Sequence, residues 1–373
     1  AKKIALVGPN ANSMWAMLGD YTYPTMQLFW RGIDTGNPGN QTPTLKECME
    51  VKLPAGSEIM YTAGCDWTEP MAKTSAGAGD ERARWLDNTR RIERDEVFDE
   101  ARALELAANS DVVVAAVGEN IFLCGENRDR GSVKLPGRQE EFVRKLIATG
   151  KPVALGMFGG RALVIGDLAD KCAAVVHAWY PGEEGGNAVA DILYGNVNPS
   201  AKLCVSYPKE EINEAVCYNT SATTDPRMQW PFGYGLSYTS YDYSNLSVDS
   251  SIPTDGEEIN ISLDVTNTGD AAGEEIVQLY ISPTDASQQL KPIKLAGFSR
   301  VALNPGETKT VRFIMSPQQL GYWADKKWHI SPGDYVIKAG ASSSDIRAQR
   351  TVTLTGSEQT MPLRTVYFTE VID

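Results

Sequence analysis

The chain has 373 residues, 42% hydrophobic and 22% charged, which describes a folded, soluble protein too long for one ordinary core and points to two domains, or three. A net charge of −13 excludes a nucleic-acid partner, because no basic surface would release counterions from a phosphate backbone. The longest apolar runs fall far short of the roughly 18 residues that a spanning helix requires, so no membrane span is expected.

Along the first 210 or so residues, six apolar runs read as strands: KIALVG (3–8), SEIMYTAG (57–64), DVVVAAVG (111–118), KPVALGMFG (151–159), CAAVVHAWY (172–180) and AKLCVSYP (201–208). Nearly all are apolar on both faces, as strands of a sheet covered on each side must be. Between them, residues 96–110, 137–150 and 183–195 carry helical periodicity with Ser, Asp or Gly at their ends. Glu183 and Glu184 suit the positive N-terminus of the last helix. The fold class read here is α/β, an open and mostly parallel α/β sandwich, with ligands expected outside the carboxyl ends of its strands. The turn VGPNAN (7–12) reads as structural. The aromatics Trp15, Tyr21, Tyr23, Phe29 and Trp30 follow it in a Gly/Pro-containing loop without helical spacing. Such rings either pack the loop or stack on sugar rings.

From about residue 241 the pattern changes to alternating strands with turn signals about every ten residues, from INISLDVTNTGD to RTVTLTGS. This predicts an all-β sandwich of immunoglobulin or fibronectin type III kind. The expected boundaries are therefore 1–212 for the α/β domain, 213–240 for a linker and 241–373 for the β-sandwich. The six cysteines lack a repeated spacing and read mostly as small buried hydrophobes rather than as a disulfide framework. Cys124 is set aside as a nucleophile, since neither His177 nor His329 is near it in sequence. The chain begins at Ala1 without Met or a signal-peptide core, which suggests a processed protein or a piece of a longer one.

The chemistry concentrates in GENIFLCGENRDRGSVKLPGRQ, residues 118–139, where Gly-Glu-Asn occurs twice on the loop after the third strand. Glu126 could act as a general acid/base if its surroundings allow it to hold a proton. On chemistry alone, a loop glutamate paired with Arg128 or Arg130 reads as a structural ion pair, and such pairing favours the charged form unless the arginines face elsewhere. The glycines lack the spacing of a phosphate-binding loop.

Taken together, KIALVGPNA, LGDY, DVVVAAVGE, GENRDRGSVKLPGRQEEFV, AWYPGEEGGNAVADILYGNVNPSAKLCVSYP, WPFGYGLSYTSYDY and NISLDVTNTGDAAGEEIVQLYI with LAGFSRVALNPGET resemble, in that order, the C-terminal half of glycoside hydrolase family 3. The resemblance covers residues 3 to about 356. It implies an acid/base at Glu126, with Glu119 as second candidate, and substrate contacts from Tyr21 on the LGDY loop and from Arg128 and Arg130. It also implies a retaining mechanism with carboxylates roughly 5–5.5 Å apart. The nucleophile would stand on a (β/α)8 barrel of the same gene product, absent from these residues, so the chain alone is expected to be inactive. The implied activity is that of an exo-acting β-glucosidase on β-linked oligosaccharides or glucosides, with a β-xylosidase or another exo-β-glycosidase as the alternative. A non-catalytic carbohydrate-binding or interaction module is the alternative of another class. No metal or organic cofactor is implied, homodimerisation stays open, and the location expected is periplasmic or secreted, with a cytoplasmic one as the alternative.

Overall fold

Five of the six apolar runs in the first half form one parallel sheet. The structure, a computed structural model, describes residues 2–31, 41–68, 98–126, 129–212, 214, 217–218, 225–283 and 293–372. Strands β1 (Lys3–Val7), β2 (Glu58–Thr62), β3 (Val112–Gly118), β4 (Val153–Phe158) and β5 (Ala174–Trp179) lie in the order β2-β1-β3-β4-β5. All four pairings are parallel.

Helices α1 (Tyr23–Arg31), α2 (Leu45–Val51), α3 (Glu100–Ala108), α4 (Gln139–Ala148), α5 (Leu168–Lys171) and α6 (Gly185–Tyr194) accompany the sheet. Ile4 and Leu6 of β1 and Val114 and Ala116 of β3 pack with Leu45, Met49 and Val189, so α2 and α6 cover one face. The alternate residues Ala5, Val7, Val113 and Ala115 are fully buried as well, and α3 and α4 pack on these strands. That is why β1 and β3 read as continuous apolar runs.

Three readings are corrected. Residues 23–31 are helical, not loop, because Pro24 stands in the first turn, where its missing N–H has no intrahelical partner to lose. Helix α2, not anticipated, begins at a capping box: Thr44 and Glu47 each satisfy the other's backbone N–H. The sixth run, residues 201–208, does not join the sheet. Its backbone pairs with a nearby loop instead, Leu203 N–H donating to Tyr234 O and Gly233 N–H to Leu203 O, both at 2.8 Å.

The chain divides into two compact units, 1–197 with 208–213, and 198–207 with 214–373. In the second unit one antiparallel sheet has the order Glu370–Ile372, Thr308–Met315, Ile259–Asn267, Tyr241–Val248. The other runs Lys294–Leu303, Gly273–Pro283, Gly333–Gly340, Ile346–Thr355, Ser251–Pro253, with only the last pairing parallel. Alternate residues of Ile259–Asn267 are buried and join Val277, Phe313, Tyr335 and Val352 in one core. Residues 198–207, read as part of the α/β domain, lie in this unit, where Lys202 Nζ pairs with buried Glu275 at 3.4 Å, and from the segment read as linker Gly233 O accepts from Gln278 Nε2 at 3.0 Å.

Two glycines set how the central strands leave the first sheet. Gly8 (φ +102°) and Gly118 (φ +131°) follow or end β1 and β3, and a Cβ there would stand 2.1 Å from Ala116 O and 1.8 Å from Phe158 O. Only glycine permits both the left-handed backbone and the close approach. Gly118→Ala is therefore expected to cost about 3 kcal/mol or more. The check is thermal unfolding of the first unit, which should melt at least about 6 °C lower; an unchanged transition would contradict this account of the strand end.

Candidate active site

In the strand order, β1 neighbours β2 on one side and β3 on the other, and at such a switch point the crevice outside the carboxyl ends is open to a ligand. The loops leaving β1, β3 and β4 meet there. Their root is polar and buried. Asn10 Nδ2 donates to Glu119 O at 2.8 Å, and Trp67 Nε1 donates to Asn10 Oδ1 at 2.9 Å. Gln139 accepts from Gly118 N–H at 2.6 Å and donates to Gly118 O at 2.9 Å. Asn10, Glu119 and Gln139 are all 0% exposed, so each of these bonds satisfies a group that water cannot reach.

Glu119 follows β3, and its side chain meets two guanidinium groups. Arg130 Nη1 lies 2.5 Å from Oε1, and Arg161 Nε stands 3.0 Å from both carboxylate oxygens. Each arginine also holds backbone: Arg130 Nη2 donates to Lys134 O at 2.9 Å, and Arg161 Nη2 to Leu123 O at 3.3 Å. Arg130 therefore closes the far end of the loop onto its start, and Arg161, after β4, grips its middle. Burial by itself would lower the Arg161 guanidinium; the Glu119 carboxylate and Cys124 together more than offset this and hold it above its ordinary value. Burial raises the Tyr180 phenol well above its usual range, so it stays neutral and donates to Asn120 O at 3.1 Å.

Above this root, Ile121 and Phe122 pack with Trp15 and Leu18 in one buried apolar cluster. The β1 and β3 loops are joined by that contact, and their polar tips meet beyond it. The Tyr21 hydroxyl donates to Glu126 Oε2 at 2.5 Å, and Glu126 N–H donates to Asp20 Oδ2 at 3.1 Å. Glu126 is exposed, and among the described residues it forms no ion pair.

A family model described as the glycosyl hydrolase family 3 C-terminal domain matches residues 1–238. The chain belongs to glycoside hydrolase family 3. A fibronectin type III-like domain model matches residues 275–343. A beta-xylosidase of Formosa agariphila is 33% identical over 356 residues, which are 92% of this chain and 44% of that protein. A periplasmic beta-glucosidase of Salmonella typhimurium is 30% identical over 364 residues, 92% of this chain and 45% of its own. Among solved structures, a β-glucosidase of Erythrobacter marinus matches with a TM-score of 0.75 at 32% identity, over 95% of this chain and 46% of that one. The chain thus spans a little under half the length of these family 3 relatives.

Of the residues that the sequence singled out in this family 3 chain, Glu126 and Tyr21 are brought together at the loop tips. Glu119 and Arg130 are brought together at the root, so Arg130, expected at Glu126 or at substrate, instead braces Glu119 with its side chain 14% exposed. Arg128 lies outside the described residues. Asp20, Arg161 and the Asn10–Trp67–Gln139 group were missed. The place of Arg161 after β4, beside β3 in the sheet, was the available signal for it, and for Asp20 it was adjacency to Tyr21 in LGDY. All six cysteines are thiols; burial raises those of Cys48 and Cys172 to about 11, which keeps them protonated and unreactive at neutral pH.

Removing the Glu119 carboxylate would leave two guanidiniums unpaired in a largely buried setting. Glu119→Ala is expected to destabilise the first unit by about 3–5 kcal/mol, measured by denaturant unfolding. A loss below about 1 kcal/mol would show that the two ion pairs do not hold the loop.

Proposed function

We propose that Glu126 is the general acid/base of a retaining exo-β-glycosidase, acting on the non-reducing end of β-linked gluco-oligosaccharides. The observation that carries this reading is the separation of the two loop glutamates. Glu119 is fully buried with both oxygens engaged by arginines, so it cannot exchange a proton with a substrate in the crevice. Glu126 stands exposed at the meeting point of two loops, and Arg130 is committed to Glu119 instead.

In this role the protonated Glu126 gives its proton to the glycosidic oxygen as the bond to the sugar breaks and a nucleophilic carboxylate takes the anomeric carbon. The ionised Glu126 then removes a proton from the water that splits the glycosyl-enzyme intermediate. Tyr21, Asp20 and the loop after β1 face the departing part of the substrate in this reading. The nucleophile is proposed to stand on a (β/α)8 barrel of the same gene product, so residues 1–373 by themselves would not turn over substrate. The greater length of the relatives supports a further domain, and two of them, being β-glucosidases, support a β-glucosidase, with a β-xylosidase as the alternative. The periplasmic relative supports an exported protein; no described helix is long and apolar enough to cross a membrane.

The test is Glu126→Gln in the full-length protein. Hydrolysis of cellobiose should fall by about 10²–10⁴-fold, while an aryl β-glucoside with a good leaving group still forms the intermediate, and added azide should restore turnover and yield the β-glucosyl azide. Undiminished cellobiose hydrolysis, or a loss that azide does not relieve, would overturn the assignment. A non-catalytic binding module would show neither the initial turnover nor its rescue.

A further inference from the structure

We infer that Tyr21 is a positioning residue for the Glu126 carboxylate, and that the Asp20–Tyr21 step holds Glu126 by backbone and side chain together. The inference rests on the reading of Glu126 as the acid/base. It goes beyond it by giving the loop after β1 a part in the proton transfer itself, besides any contact with the leaving sugar.

Three observations place Tyr21 for this. The first is the pair of bonds: the phenol donates to Glu126 Oε2 at 2.5 Å while Asp20 Oδ2 accepts from the Glu126 N–H at 3.1 Å. Two contacts on one residue fix both the peptide and the carboxylate plane. The second is the stiffness of the turn that carries them. Thr22 Oγ1 donates to Gly19 O at 3.0 Å and shares a 2.9 Å hydrogen bond with Thr25, and Met26 N–H donates to Thr22 O at 2.9 Å at the start of α1. The third is the buried cluster of Trp15, Leu18, Ile121 and Phe122, which ties this turn to the loop of Glu126. Tyr21 itself is 64% exposed, so its ring faces outward while its hydroxyl is directed at Glu126.

The charge arrangement gives the sign of the effect. A phenol stays protonated through the working range of a glycosidase, and its hydrogen bond stabilises the ionised carboxylate over the neutral acid. Among the described residues, the other charged and titratable groups of the packed elements are Asp20 beside Tyr21, Cys124 and Asp129 on the same loop as Glu126, Arg130 and Arg161 bound to Glu119, and the neutral Tyr180. Removing the Tyr21 hydroxyl therefore favours the protonated form of Glu126.

The experiment compares the pH dependence of kcat/KM on cellobiose for the full-length wild type, Tyr21→Phe and Glu126→Gln. Tyr21→Phe keeps the ring, and so any stacking on sugar. It should move the basic limb upward by about half to one pH unit, with thermal stability unchanged. A superimposable profile with only KM altered would overturn the inference and leave Tyr21 as a sugar platform alone. Glu126→Gln separates the two levels: its profile should lose the basic limb. If that limb persists in Glu126→Gln, the acid/base reading fails and the inference with it. If it is lost there but unmoved in Tyr21→Phe, only the inference fails.

Discussion

A buried carboxylate between two guanidiniums is the constraint on which the site depends. A buried carboxylate is costly unless it is paired, and Arg130 and Arg161 supply the partners of Glu119, 0% exposed, from two different places in the chain. Because Arg130 lies eleven residues beyond Glu119, the ion pair closes the loop into a ring. Because Arg161 follows β4 and also holds Leu123 O, that ring is tied to the neighbouring strand. The second glutamate is thereby carried outward on a loop whose two ends cannot drift. The two Gly-Glu-Asn sequences occupy opposite physical settings: the first glutamate is buried and paired, the second exposed at the loop tip.

The sheet supplies the rest of the geometry. At the switch point between β1 and β3 the chain leaves both strands through glycines that allow near-contact with the adjacent backbone. Asn10 and Gln139 then clamp the ends of those strands from either side. An apolar cluster above that clamp joins the β1 and β3 loops, and only beyond it do the polar tips, Asp20, Tyr21 and Glu126, reach one another. This order, from a satisfied buried root through an apolar joint to an exposed polar tip, fixes the place of Glu126 from the sheet outward.

Much of this was legible in the sequence. The five parallel strands declared themselves by being apolar on both faces, and six sandwich strands by alternation. The loop after β3 was marked by its charge density, and its place at a carboxyl end followed from the fold class. What stayed hidden has particular causes. Residues 23–31 read as loop because their aromatics lack helical spacing and a first-turn place for Pro24 is not visible from composition. The run at 201–208 has strand-like residues, yet its hydrogen-bond partners lie in a segment rich in Pro, Gly and aromatics that carries no periodic signal. Arg130 was read as a partner of Glu126 because both glutamates are within a loop's reach, and burial places it on Glu119 instead. Arg161 is distant in sequence, and its contact exists because β3 and β4 are neighbours.

The most direct test of this account is hydrogen/deuterium exchange of the peptide covering residues 119–126, compared between the full-length wild type and Glu119→Gln, with peptides from the β-sandwich as internal reference. If the ion pairs hold the loop, protection of Glu126 N–H and its neighbours should be evident in the wild type and fall by at least about tenfold in the variant, which corresponds to about 1.4 kcal/mol, while the sandwich peptides stay unchanged. Equal protection in the two proteins would contradict it.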